Sequence, residues 1–94
     1  MFVILSKYTR PLEDQQLVAE HIAFVESMYK SGTFIASGPR SPFTGGVIVA
    51  RGDNEAALRE SMSRDPFIRE GIVTDYDYVQ FRASKAMHSD LIET

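Results

Sequence analysis

The segment Phe2-Val3-Ile4-Leu5 is apolar at odd and even positions alike. Successive side chains of an extended chain point to opposite faces, so such a strand presents apolar surface on both and belongs inside a sheet rather than at its edge. A chain that begins this way needs strands on either side of the first and cover for two faces.

The strand extends over Phe2–Lys7, and Thr9-Arg10-Pro11 breaks it, with Pro11 suited to a first helical turn. From Leu12 to Lys30 the period is helical. Leu17, His21, Phe24 and Met28 share one stripe, and Val18, Ile22, Val25 and Tyr29 run beside it. Gly32 supplies a left-handed cap after Ser31. Thr33–Ala36 reads as a second strand ending in a Ser37-Gly38-Pro39 turn, and Phe43–Ala50 as a third. Gly45-Gly46 inside that third strand marks a bulge or the close approach of something else, and relieves crowding in the sheet. Asp53 is placed to cap a helix over Asn54–Ser63, and Asp65-Pro66 to open a single helical turn closed by Gly71. Ile72–Phe81 is the last strand; the residues beyond Ser84 form a short helix or fray.

The order is therefore β-α-β-β-α-β, the split βαβ or ferredoxin-like arrangement. The expected fold is α+β: a four-stranded antiparallel sheet with two helices on one face, a single domain over residues 1–83 followed by a C-terminal tail, 84–94. The helices cover only one face. The other remains apolar, and a second copy of the chain, sheet against sheet as a homodimer, is its simplest cover.

Composition removes several function classes. The net charge is −3 and the ten Lys and Arg residues are scattered, so a phosphate-binding patch for nucleic acid is not expected. No apolar run approaches membrane-spanning length, and the start lacks the features of a secretory signal. With no cysteine there is neither a disulfide framework nor a thiolate nucleophile, and a cytoplasmic location is the expectation. The two histidines, His21 and His88, make no metal-binding spacing with each other or with the carboxylates, so no metal is expected.

The chemistry concentrates in two places. His21 lies on the apolar stripe of the first helix, where it is either a core histidine satisfied by neighbours or a general acid/base titrating near neutrality. Asp65 caps the short helix, and a second carboxylate oxygen can hold an imidazole N–H at the same time. Ser37, Gly38 and Pro39, a turn on the bland view, can offer a hydroxyl and backbone N–H groups to a substrate oxygen. Phe67, beside Asp65, completes the expected substrate contacts. Tyr76-Asp77-Tyr78 reads as strand alternation rather than chemistry.

His21 in the first helix, Gly32-Thr33-Phe34-Ile35-Ala36-Ser37-Gly38-Pro39, the Gly45–Ala50 segment and Asp65-Pro66-Phe67 followed by Gly71 together resemble the YciI-like (YCII-related) family, over roughly residues 1–82. The resemblance implies a dimeric α+β barrel of ferredoxin-like subunits, with a His–Asp pair matching His21 and Asp65. One characterised type of that family is a dehydrochlorinase acting on a chlorinated hydroxyhydroquinone. Relatives of the same barrel include muconolactone isomerases and oxygenases, some using haem and some no cofactor. This chain departs from the pattern in a short loop after Pro39 and in the tail beyond Phe81. The expectation is an enzyme that needs no cofactor and moves a proton on a small molecule by elimination or isomerisation. The alternatives are a metabolite-binding or accessory protein of the same fold, or an oxygenase with His21 as haem ligand or base.

Overall fold

The structure, a computed structural model, describes residues 1–93. Its elements run β1 (Phe2–Leu5), α1 (Gln15–Lys30), β2 (Phe34–Pro39), β3 (Gly46–Ala50), α2 (Glu55–Met62), α3 (Pro66–Arg69) and β4 (Asp77–Gln80), followed by a 3₁₀ turn, Ser89–Leu91. The four strands pair antiparallel in the order β2-β3-β1-β4, so β1 is central. This is the ferredoxin-like α+β fold that the order of elements implied.

Alternation along the central strands explains where the core sits. Phe2 and Ile4 are fully buried, and their register partners Ala50 and Ile48 lie on the same face, packed with Leu17 and Met28 of α1 and Leu58 and Met62 of α2. Val3 and Leu5 point the other way. By register they share the opposite face with Val49, Val47 and the half-exposed Val79. An apolar strip thus runs across three strands on the side that carries no helix.

Local details correct several expected boundaries. Pro11 stands outside α1; the helix starts at Gln15 because Asp14 caps it, its carboxylate accepting the Leu17 N–H at 3.1 Å. Asn54, rather than Asp53, caps α2 through the Ala57 N–H. Ser37-Gly38-Pro39 is not a turn but the second half of β2, opposite Ile48, Val47 and Gly46. An edge strand tolerates proline because the missing N–H has no ladder partner to serve. The last strand is much shorter than Ile72–Phe81: residues 72–76 bend across the end of α3, with Val73 N–H donating to the Phe67 carbonyl, before β4 begins. Ile72, Val73 and Tyr76 are nonetheless buried, which is why their apolar character reads as strand.

Gly45 precedes β3 rather than lying in it, and of the two expected alternatives, bulge or close approach, the second is what it meets. A Cβ at this position would stand 1.9 Å from the Ser6 carbonyl oxygen. Of the two expectations for the tail the short helix is the one found, the 3₁₀ turn Ser89–Leu91, and Glu93 folds back, its N–H donating to the Ala83 carbonyl and its carboxylate accepting the Ala83 N–H.

Candidate active site

Both stripes of α1 have a use. Leu17 and Met28 enter the core, while Val18, Ile22, Val25 and Tyr29 line a cavity of about 400 Å³ between α1 and the β2–β3 end of the sheet. His21 lies at the boundary of the two, its side chain 21% exposed. The cavity also takes in Ser37, Gly38, Pro39, Phe43 and Phe67. No lysine or arginine is among its lining residues, and its one carboxylate is Glu26.

Asp65 is 1% exposed, and three donors converge on its carboxylate. Oδ1 accepts from Nδ1 of His21 at 2.8 Å and from the Phe67 N–H at 3.0 Å; Oδ2 accepts from the Tyr76 hydroxyl. The expected helix cap and the expected imidazole partner are thus the same side chain, and on Oδ1 the same atom. With a carboxylate acceptor at Nδ1, the proton of a neutral His21 ring resides there, which leaves Nε2 with a lone pair. The ring lies flat on Phe67, centroids 3.8 Å apart and planes 2° from parallel, so its plane as well as its tautomer is fixed. Phe67 in turn meets the edge of Tyr8, and Tyr8 that of Phe43.

Two tyrosine hydroxyls register the buried carboxylate. Burial, then the Asp65 charge and its hydrogen bond, push Tyr76 far above the ordinary tyrosine range, so it remains a donor. Tyr8 is raised more modestly, by burial and then by the same charge.

The expected substrate contacts fall into two groups. Phe67 is against the histidine. Ser37 lies across the cavity, its hydroxyl hydrogen-bonded to the Tyr29 hydroxyl at 2.7 Å. Because residues 37–39 are extended, they do not form a turn that would converge several N–H groups; the Ser37 hydroxyl is what the segment offers. Tyr76 and the Val18–Tyr29 row join the site beyond the residues expected there. A buried tyrosine must place its hydroxyl on a partner, and that requirement is the one signal by which Tyr76 could have been found. Among the described residues, no cluster of three or more His, Cys, Asp or Glu side chains forms a metal site. No described helix is long and apolar enough to cross a membrane.

The family model for the YCII-related domain matches residues 1–82. A search of proteins with curated functions gives no match. Among solved structures, the chain is similar to 5-chloro-2-hydroxyhydroquinone dehydrochlorinase from Burkholderia phenoliruptrix AC1100, determined in complex with 2,5-dihydroxybenzoquinone. The TM-score is 0.62 at 14% identity, covering 99% of this chain and 100% of that one. At that identity the similarity establishes the fold, that of the dimeric α+β barrels.

Proposed function

This chain belongs to the YCII-related family, and on that premise we propose that it is a small-molecule enzyme in which His21 and Asp65 move a proton on a hydroxylated ring compound without a cofactor. The carrying observation is the 2.8 Å contact between His21 Nδ1 and Asp65 Oδ1 at the wall of a cavity that His21 also lines. A carboxylate at Nδ1 orients the imidazole and stabilises its charged form, so Nε2 can take a proton from a bound molecule and return it. The cavity volume suits a single-ring ligand. An apolar lining without Lys or Arg favours an uncharged ring over a carboxylate or phosphate.

On a chlorinated hydroxyquinol the steps balance as follows. Nε2 takes a ring hydroxyl proton, the O–H pair becomes part of a C=O bond, and a ring carbon receives a proton. Chloride then leaves with the C–Cl electron pair as a second proton is lost, so HCl is released and a quinone remains. The Ser37 hydroxyl, on the cavity wall, steadies the developing oxyanion in this reading. Stopping after the first proton exchange gives isomerisation. The similarity to the dehydrochlorinase supports the elimination, and the barrel type supports pairing of two chains through the strip of Val3, Leu5, Val47, Val49 and Val79.

The test is incubation of the purified protein with chlorinated and unchlorinated hydroxyquinols, following chloride release and quinone absorbance. Turnover that depends on His21 supports the assignment. Binding of these compounds with no chemistry in any of them would make the protein a binding module instead.

A further inference from the structure

Oδ1 of Asp65 is already held twice, by the Phe67 N–H and by His21, so the rotamer of this carboxylate does not depend on Oδ2. Yet Oδ2 carries a hydrogen bond of its own, from Tyr76, inside the core. The Tyr76 backbone is fixed as well: its N–H donates to the Asp75 carboxylate at 2.8 Å, just ahead of β4. A hydrogen bond that is not needed to hold a group in place, but falls on a buried charge, acts on that charge.

We propose that Tyr76 is a positioning residue that works through Asp65: its hydroxyl takes up part of the carboxylate's charge at Oδ2 and so sets how basic Nε2 of His21 is. The inference rests on the proton-transfer reading only in calling His21 a base. The other titratable groups around His21 do not share this role. Tyr8, after β1, senses the Asp65 charge but makes no hydrogen bond to it among the described residues. Glu26 on α1 lines the cavity and is exposed, Tyr29 on α1 lines it with its hydroxyl on Ser37, and Glu20 on α1 is paired outward with Arg69 of α3. β2 and β3 bring only Ser37 and apolar groups to the cavity.

The experiment is a pH titration of the imidazole nitrogens by NMR on the ligand-free protein. Wild type, Tyr76→Phe, Asp65→Asn and the double variant are compared, with the exposed His88 as internal reference. Removing the hydroxyl concentrates negative charge toward Nδ1. The His21 midpoint should rise by about 0.5–1 pH unit, a roughly three- to tenfold gain in proton affinity. His88 should not move, and the rise should vanish in the Asp65→Asn background. Replacing Tyr76 with 3-fluorotyrosine strengthens the same donor and should shift the midpoint down, which keeps the idea testable if Tyr76→Phe fails to fold. An unmoved His21, a shift of the opposite sign, or the same shift without the Asp65 carboxylate overturns the proposal. No substrate is involved: a null here with intact turnover removes only Tyr76's role, and the predicted shift without turnover removes only the enzyme assignment.

Discussion

Oδ1 of Asp65 lies 2.8 Å from Nδ1 of His21 while it also caps α3 through the Phe67 N–H at 3.0 Å. One atom therefore serves the start of a helix and the tautomer of an imidazole, so stability and the proposed chemistry meet on it. Asp65→Ala removes the cap and leaves the Tyr76 hydroxyl without its acceptor in the core. The expected loss is about 2–4 kcal/mol. Asp65→Asn keeps an acceptor for the cap and should cost at least ~1 kcal/mol less. Urea unfolding of the two variants checks this; equal stabilities would mean that the cap and the buried contacts are energetically idle.

His21→Gln separates the proposed base from the scaffold. Glutamine fits the space and can donate to Asp65, but it takes no proton near neutrality. Turnover of a hydroxyquinol substrate should fall by about 10²–10⁴-fold with unfolding midpoint and subunit mass unchanged. A folded variant with undiminished turnover removes His21 from the mechanism.

Gly45 and Gly38 make a matched pair. A methyl at Gly45 would run into the Ser6 backbone carbonyl, which cannot swing aside without moving the end of β1, whereas a Cβ at Gly38 meets nothing within 4 Å. Gly45→Ala should destabilise by about 1–3 kcal/mol and widen or distort the cavity beside Ser6; Gly38→Ala should stay within about 0.5 kcal/mol of wild type. Thermal melts of the two variants distinguish these outcomes.

The sequence made the fold legible where a residue's role is set by its own chain neighbourhood. Period-two and period-3.6 patterns, the Asp65-Pro66 cap and the Gly32 and Gly71 closures, both at positive φ, all appear as expected. It was less legible where the deciding partner is distant. Ser37-Gly38-Pro39 looks like a turn because glycine and proline usually make one; only the edge position of β2 lets it stay extended. Ile72 and Val73 look like strand because burial, rather than a ladder, keeps them apolar. The contact between His21 and Asp65 spans 44 residues. The two residue types and their places could be read from the chain, but not the Tyr76 hydroxyl on the far oxygen, which depends on how the bend before β4 crosses α3.

The strip of Val3, Leu5, Val47, Val49 and Val79 leads to a prediction about assembly. Sheet-to-sheet pairing would bury it in two copies at once, so the wild-type chain should show twice its 10.6 kDa mass in solution. Val49→Glu places a charge at the middle of the strip, opposite Val3, and should shift the protein to monomer at micromolar concentration without changing its helical signal. Light scattering coupled to gel filtration reads both. A wild-type monomer would leave the apolar face without the partner argued for it.

The tyrosines set the alkaline limit. Burial and the neighbouring Asp65 hold Tyr76 well above the ordinary tyrosine value, and Tyr78 is pushed up to about 12 by burial, partly offset by Arg59 lying over its ring. In the unfolded chain both release their protons near pH 10. Between about 10 and 12 the native protein thus retains protons that the unfolded chain has lost, and rising pH favours unfolding. Stability from these groups is complete below pH 10 and declines above it. For Tyr76 the decline is at most about 1.4 kcal/mol per pH unit; Tyr78, which is only half-buried and screened by solvent, contributes less. Tyr76→Phe has no proton to release in either state, so its stability should fall less steeply over the same range, whatever its value at neutral pH. Urea midpoints from pH 8 to about 11.5 for both proteins make the comparison. Parallel slopes would show that the Tyr76 hydroxyl ionises in the native state as readily as in the unfolded chain, contrary to its burial against Asp65.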